Sequence, residues 1–322
     1  MEYITCYTTQ NKAWRKCVHP MKSPRKTLDF VVVGAPKCGT TSLFHTLNER
    51  AEISLLGKDS HLLGKDLELP LRDHTINLNE VIDRHPENSI VGDVSVWYLY
   101  SETAAQEIHE LNPSAKIIIC LRNPLELIPS LHNQHVKGGD ESEPDLNIAL
   151  TNDFKLESIA AGVHFKQRPR YADVVNFGQQ IARYTERFDN VLFVFHEDLK
   201  LNYAKSIQRI EDFLGLEIRK DITEMERNKR QQVVNPALVN VIKKKPAFIK
   251  SVFRIVVPSK KIRHNIMESA MKRAISDDES PSHVEFTMEN RNFICRLIEK
   301  QLPLLRELTG RDCSIWLKDN DE

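Results

Sequence analysis

Residues 28–43 read Leu-Asp-Phe-Val-Val-Val-Gly-Ala-Pro-Lys-Cys-Gly-Thr-Thr-Ser-Leu, and they limit the fold more than any other stretch. Phe30 to Val33 form an apolar, β-branched run, the pattern of a strand, which ends at Gly34. Leu43, Phe44 and Leu47 then fall at helical spacing. The loop between carries Pro36, Lys37, Cys38 and Gly39 and leads into three hydroxyls, Thr40, Thr41 and Ser42. Glycines let a backbone approach an anion closely, and the first N–H groups of a helix have no intrahelical acceptor. Lys37 adds a cation. Residues 36–42 are therefore expected to hold a phosphate or sulfate group. The loop is not a Walker A motif, because its lysine precedes the second glycine instead of following it. Nor is it a dinucleotide fingerprint, which needs three glycines. The plain alternative is a strand-to-helix turn that merely contains a lysine.

Residues 115–124, Ala-Lys-Ile-Ile-Ile-Cys-Leu-Arg-Asn-Pro, repeat the design of strand, polar turn and helix. Pro124 suits a first helical turn, where its missing N–H costs nothing. Leu125, Leu127, Ile128 and Leu131 continue the helix, with Arg122 at the strand end and Ser130 two turns further on. Open α/β sheets bind ligands beyond the carboxyl ends of their strands. Two such ends bearing anion donors imply a ligand with two separate anionic groups.

Further strands are expected near 90–94 and 191–195, and helices over 124–136, 171–188, 203–214 and 284–308, with Ser101 capping a helix that reaches 111. Strands alternating with helices predict an α/β fold, a mainly parallel sheet flanked by helices, in a single domain with helical insertions. Residues 1–27 read as a polar, irregular arm before a domain spanning 28–322. Residues 137–145 are a charged loop, a candidate lid or substrate-facing insert. Residues 219–275 are rich in lysine and arginine. Lys243–Lys245 reads as a solvated helix face, or as a wall for an anionic acceptor or the nucleotide.

In this order the segments resemble the PAPS-dependent sulfotransferases, whose donor is 3′-phosphoadenosine 5′-phosphosulfate. Residues 34–43 are similar to their 5′-phosphosulfate loop, and Leu121-Arg-Asn-Pro with Ser130 to their 3′-phosphate element. Residues 92–99 resemble the family's Gly-Glu-x-Ser-x-x-Tyr-Leu, residues 191–199 its later strand and acidic turn, and residues 308–317 its closing Gly-Arg-Asp-x-Ser-x-Trp. The branch resembled is the bacterial and heparan-sulfate-like one. The resemblance implies a P-loop-like sulfotransferase fold and transfer of the sulfuryl group of PAPS to a hydroxyl or amine of a small-molecule natural product or a saccharide. It implies Lys37, Gly39, Thr40, Thr41 and Ser42 at the 5′-phosphosulfate and Arg122 with Ser130 at the 3′-phosphate. It also places a catalytic base in a Lys-Glu-x-His-Phe-Phe segment. Here that segment reads Lys58-Asp59-Ser60-His61-Leu62-Leu63. Asp59 is one methylene shorter than the expected Glu. His61 is the other candidate, because an imidazole titrates near neutral pH. Lys58 is expected to neutralise the migrating group, and Glu226–Arg230 to latch over the nucleotide.

Asp93 and Ser95 are expected to orient the acceptor, Trp97 and Tyr98 to be core or pocket wall, and Glu197 and Asp198 to cap the next helix. Lysine plus arginine number 45 against 45 acids, so no bulk attraction to nucleic acid follows. The 6 cysteines show no CxxC spacing, and His132 with His135 lacks a third ligand, so no metal is expected. Cys38 is expected to be a packing residue, with reactivity through nearby cations as the alternative. No stretch approaches the ~20 apolar residues of a membrane span, and residues 1–27 lack the apolar core of a signal peptide. A soluble, cytoplasmic enzyme is the expectation, bacterial and acting in secondary metabolism if its acceptor is a natural product. Two alternatives stay open: a different P-loop-type transferase, and a nucleotide-binding protein of the same fold without transferase activity.

Overall fold

The computed structural model describes residues 27–67, 77–86, 88–155, 169–219, 222 and 285–318, with four further strand segments at Ile4–Thr8, Ala13–Cys17, Gln231–Val233 and Ile275–Asp277. Most of the basic 219–275 region, Lys243–Lys245 and Glu226–Arg230 included, lies outside the described residues.

Five parallel strands carry the fold. We label the elements in chain order. The first two strands, β1 (Ile4–Thr8) and β2 (Ala13–Cys17), form an antiparallel pair, where the sequence reading expected an irregular arm. Ile4, Thr5, Tyr7 and Thr8 have the strand preference that a purely polar reading of this segment overlooks. Next come β3 (Phe30–Gly34), α1 (Thr40–Asn48), β4 (Ile53–Lys58), α2 (Leu78–Asp83), β5 (Ile90–Val94), α3 (Ala104–Leu111) and β6 (Lys116–Leu121). They are followed by α4 (Pro124–Gly138), α5 (Leu146–Lys155), α6 (Tyr171–Val174), α7 (Phe177–Thr185) and β7 (Val191–Phe195). Then come α8 (His196–Leu201), α9 (Tyr203–Leu214), a short antiparallel pair β8 (Gln231–Val233) and β9 (Ile275–Asp277), and α10 (Met288–Thr309). The main sheet has the order β4-β5-β3-β6-β7, every pair parallel.

β3 lies at the centre and is buried at all five positions. Alternate side chains point to opposite faces, so burial of every residue means that both faces are covered. β4 is an edge strand, buried only at Ile53, and its half-exposed sequence left it unread. The helix expected over 171–188 is two helices, α6 and α7. The Gln180 amide donates to the carbonyls of Asp173 (2.8 Å) and Val174 (3.4 Å), and Gln301 of α10 donates to the Val175 carbonyl (3.0 Å) while accepting from Gly178 N–H (3.1 Å). Two glutamines thus satisfy the backbone groups that the break exposes. The Ser101 hydroxyl accepts from Thr103 and Ala104 N–H at the start of α3, and α9 ends at Gly215 in the left-handed region (φ 79°), both as expected.

Candidate active site

All five parallel strands deliver their carboxyl ends to one edge of the sheet, and the turns that follow are bonded to one another. After β3 the chain crosses its neighbours at close range. Ala35 N–H donates to the Cys120 carbonyl at the end of β6 (2.7 Å), and Leu99 N–H donates to the Val33 carbonyl (2.7 Å). Gly34 has φ 136°, and a Cβ there would overlap the Val96 carbonyl oxygen. The first glycine of the loop therefore serves the passage of chain past chain, not the approach of an anion. Gly39 (φ 85°) is the residue that turns the loop into α1, and no side chain caps that helix. The first-turn N–H groups of α1 thus have no acceptor of their own, which is the setting of an anion site at a helix start. Thr41 and Ser42 are half-buried and Thr40 is buried. Pro36 brings no N–H. The Cys38 side chain is fully buried, its Sγ 3.4 Å from the Pro36 carbonyl. Burial, and then the neighbouring Cys120, push its thiol well above the ordinary range despite the nearby Arg122. Cys38 is the packing residue of the two readings.

Arg122 begins where β6 ends and is only 4% exposed. Its Nη1 donates to the Lys37 carbonyl (3.1 Å), which joins the turn after β6 to the loop after β3. Its Nε (3.3 Å) and Nη2 (2.8 Å) donate to the same Glu126 oxygen, Oε2, and Lys200 of α8 donates to that oxygen as well (2.8 Å). Burial pushes the Glu126 carboxyl up, but the bonds from Lys200 and Arg122 outweigh it and hold the group at about 2. Two cations converging on one carboxylate oxygen form an anion seat filled by the chain's own side chain. Ser130 lies one turn beyond Glu126 on the same helical face and is half-buried. The Glu126 and Lys200 partners were missed in the sequence reading, although Glu126 stands at i+4 from Arg122, the spacing of a helical ion pair.

The turn after β4 presents the proposed base residues. Asp59 (φ 55°) and His61 (φ 50°) both adopt left-handed backbone. Asp59 accepts from Val96 N–H at Oδ1 (3.2 Å) and from Lys58 at Oδ2 (2.7 Å), and its side chain is 36% exposed. The His61 ring meets the Tyr98 ring edge-on, centroids 6.5 Å apart. Lys58 lies within electrostatic reach of β6. Burial drives the Cys120 thiol up to about 12, and the Lys58 ammonium pulls the other way. The structure therefore brings Lys58, Asp59 and His61 to the same edge of the sheet as the Lys37 loop and Arg122.

Asp93 and Ser95 do not face an acceptor. Both are 0% exposed. Asp93 accepts from Ser60 (2.8 Å), Tyr98 (2.8 Å) and Ser95 (3.2 Å), and burial raises its carboxyl even against these three bonds. The expectation that they orient the acceptor is thus corrected: they hold the 59–63 turn from beneath. Trp97 and Tyr98 are core, as expected. Glu197 and Asp198 open α8 but face elsewhere. Glu197 accepts from the backbone N–H of Asn123 (2.8 Å), fixing the turn after Arg122, and Asp198 pairs with Arg311 (2.6 Å). His132 Nε2 lies 2.9 Å from the Glu143 carbonyl, and the His135 ring stacks on Trp97 at 6.3 Å. Among the described residues no group of three or more His, Cys, Asp or Glu is placed to hold a metal ion, and no helix is long and apolar enough to cross a membrane.

Comparisons with known proteins address the same region. The family model described as "Sulfotransferase domain" matches residues 27–306. Heparan sulfate glucosamine 3-O-sulfotransferase 6 of Mus musculus and its Homo sapiens counterpart are each 24% identical over 201 residues, which cover 60% of this chain and 53% of each relative. The chain spans about half the length of the curated relatives it matches. A solved sulfotransferase from Alicyclobacillus acidocaldarius superposes with a TM-score of 0.61 at 21% identity, over 90% of this chain and 99% of that one, and so shares the fold. With the family model covering most of its length, the chain belongs to the PAPS-dependent sulfotransferase family.

Proposed function

We propose that the protein transfers the sulfuryl group of PAPS to an O–H or N–H acceptor and releases adenosine 3′,5′-bisphosphate. The observation that carries this reading is the 3.1 Å bond from Arg122 to the Lys37 carbonyl, because it joins at one sheet edge the two segments expected to bind anions. In this scheme the N–H groups of α1, Lys37, Thr40, Thr41 and Ser42 hold the 5′-phosphosulfate, while Arg122 and Ser130 hold the 3′-phosphate. A bond forms between sulfur and the acceptor atom, and the bond from sulfur to the bridging oxygen breaks. Lys37 stabilises charge growing on that oxygen. The acceptor proton passes to a base drawn from Asp59 and His61. Lys58 offsets charge on the migrating group. The scheme calls for no metal. The catalytic unit spans 28–322, behind an N-terminal arm of 1–27.

The names of the matched relatives favour a saccharide hydroxyl as acceptor. A small natural product is the other class within the proposal, and neither nucleic acid nor membrane enters it. The proposed compartment is the cytoplasm, where PAPS is made. The test combines transfer of labelled sulfate from PAPS to a panel of saccharides and small hydroxyl or amine compounds with calorimetry of adenosine 3′,5′-bisphosphate. Lys37→Ala and Arg122→Ala are each expected to weaken nucleotide binding about 10- to 100-fold, as loss of a charge-assisted contact implies. Wild-type affinity in both variants sinks the site assignment. Asp59→Asn or His61→Asn should cost about 10²- to 10⁴-fold in kcat, whichever carries the base.

A further inference from the structure

Residues 59–63 form a turn that should not hold its shape unaided. Asp59 and His61 both carry positive φ within three positions, a conformation that is strained in a residue with a Cβ. Such backbone persists only where its surroundings impose it. Here they do so from β5 and the turn that follows it. Asp59 N–H donates to the Val94 carbonyl (2.8 Å), His61 N–H to Ser95 Oγ (3.3 Å) and Leu63 N–H to the Tyr98 hydroxyl (3.1 Å). Ser60 reaches down to Asp93 (2.8 Å).

We propose that Asp93 is a positioning residue for the transfer reaction: its buried carboxylate orients the hydroxyls of Ser60, Ser95 and Tyr98, and through them sets the place of Asp59 and His61. This rests on the sulfuryl-transfer reading. A carboxylate only accepts, so each of the three hydroxyls points its proton inward, to Oδ1 from Ser95 and to Oδ2 from Ser60 and Tyr98. With the protons turned in, the oxygen lone pairs of Ser95 and Tyr98 face out. They meet the backbone N–H groups of His61 and Leu63, which can only donate. An acceptor at 93 therefore fixes the polarity of the whole network. An amide at 93 would present an NH₂ on one side. The hydroxyl there would have to reverse, and its proton would then confront a backbone N–H of the turn.

Asp93→Asn has nearly the same shape and changes only this polarity. It is expected to lower kcat about 10²-fold, the scale of an ångström-sized misplacement, while the affinity for adenosine 3′,5′-bisphosphate stays within about 3-fold of wild type. Ser60→Ala, which cuts one arm, is expected to lower kcat about 10-fold. The double variant should lose clearly less than the product of the two, because both changes act on one network. Amide hydrogen exchange gives a readout independent of activity. In Asp93→Asn the His61 and Leu63 amides should exchange at least about 10-fold faster, with the amides of α1 unchanged. Unchanged kcat in Ser60→Ala and Asp93→Asn, or unchanged exchange at 61 and 63, overturns the proposal. So does a loss of nucleotide binding in step with kcat. If Asp93→Asn does not fold, Ser60→Ala decides alone by the same kcat, binding and exchange criteria. Wild-type protein that binds the nucleotide yet transfers sulfate to no acceptor overturns the transfer reading instead, and the exchange result still stands as the test of Asp93.

Discussion

At Gly34 the backbone passes under the Val96 carbonyl with room for a hydrogen and nothing larger. Gly34→Ala must both add a Cβ at that contact and hold φ 136°, which only glycine adopts readily. The expected cost is about 3 kcal/mol or more, read as a lower urea midpoint with an unchanged slope. A loss below about 1 kcal/mol would mean that the crossing relaxes. The glycine itself was legible in the sequence, but the reason for it was not, since the oxygen it avoids lies 62 positions further along the chain. Asp93 shows the same gap. The sequence marks it only as a strand-end acid, whereas its three hydroxyl partners come from two segments that only the fold brings together. Cys38 could be read as a packing residue because it sits in an apolar strand–loop–helix unit. Its thiol is pushed up by burial and then by Cys120 of β6, a neighbour that the local pattern does not contain.

Among the elements, α4 couples charge to acid stability. The Glu126 carboxyl is held at about 2 against an ordinary 4.5, so the ion pairs with Arg122 and Lys200 are complete above 4.5 and are lost as the pH falls toward 2. Glu126→Gln should remove up to about 1.4 kcal/mol per pH unit from the slope of stability in that window, the share of a single proton. Urea midpoints of both proteins between pH 5 and 3 measure it, and parallel curves would contradict it. Elements were legible in proportion to their burial. β3 and β6 lie inside the sheet and are continuous apolar runs, which a periodicity reading catches. β4 at the edge alternates weakly and ends at Gly57-Lys58, so its sequence resembles a loop. The break between α6 and α7 is hard to read locally because one of the two glutamines that satisfy it, Gln301, lies on α10.

For the molecule as a whole, the donor nucleotide should act as a brace. Adenosine 3′,5′-bisphosphate at about 100 times its Kd should add about 2.7 kcal/mol to the stability of the native state, visible as a rise in Tm. Arg122→Ala at the same nucleotide concentration should lose most of that rise. An equal rise in wild type and variant would place the nucleotide elsewhere. The α/β class followed from alternating patterns, but the order β4-β5-β3-β6-β7 did not. Strand neighbours such as β3 and β6 are separated by more than 80 residues, and no local signal records that pairing.

The bond from Arg122 to the carbonyl of Lys37 has a consequence for donor selection. Under the sulfuryl-transfer proposal this link sets the span between the two seats, and the chain would then act as a caliper for the separation of the donor's two anionic groups. A 5′-phosphosulfate without the 3′ group would then fill one jaw and leave Arg122 on Glu126, so the proposal expects it to bind more weakly than the full donor.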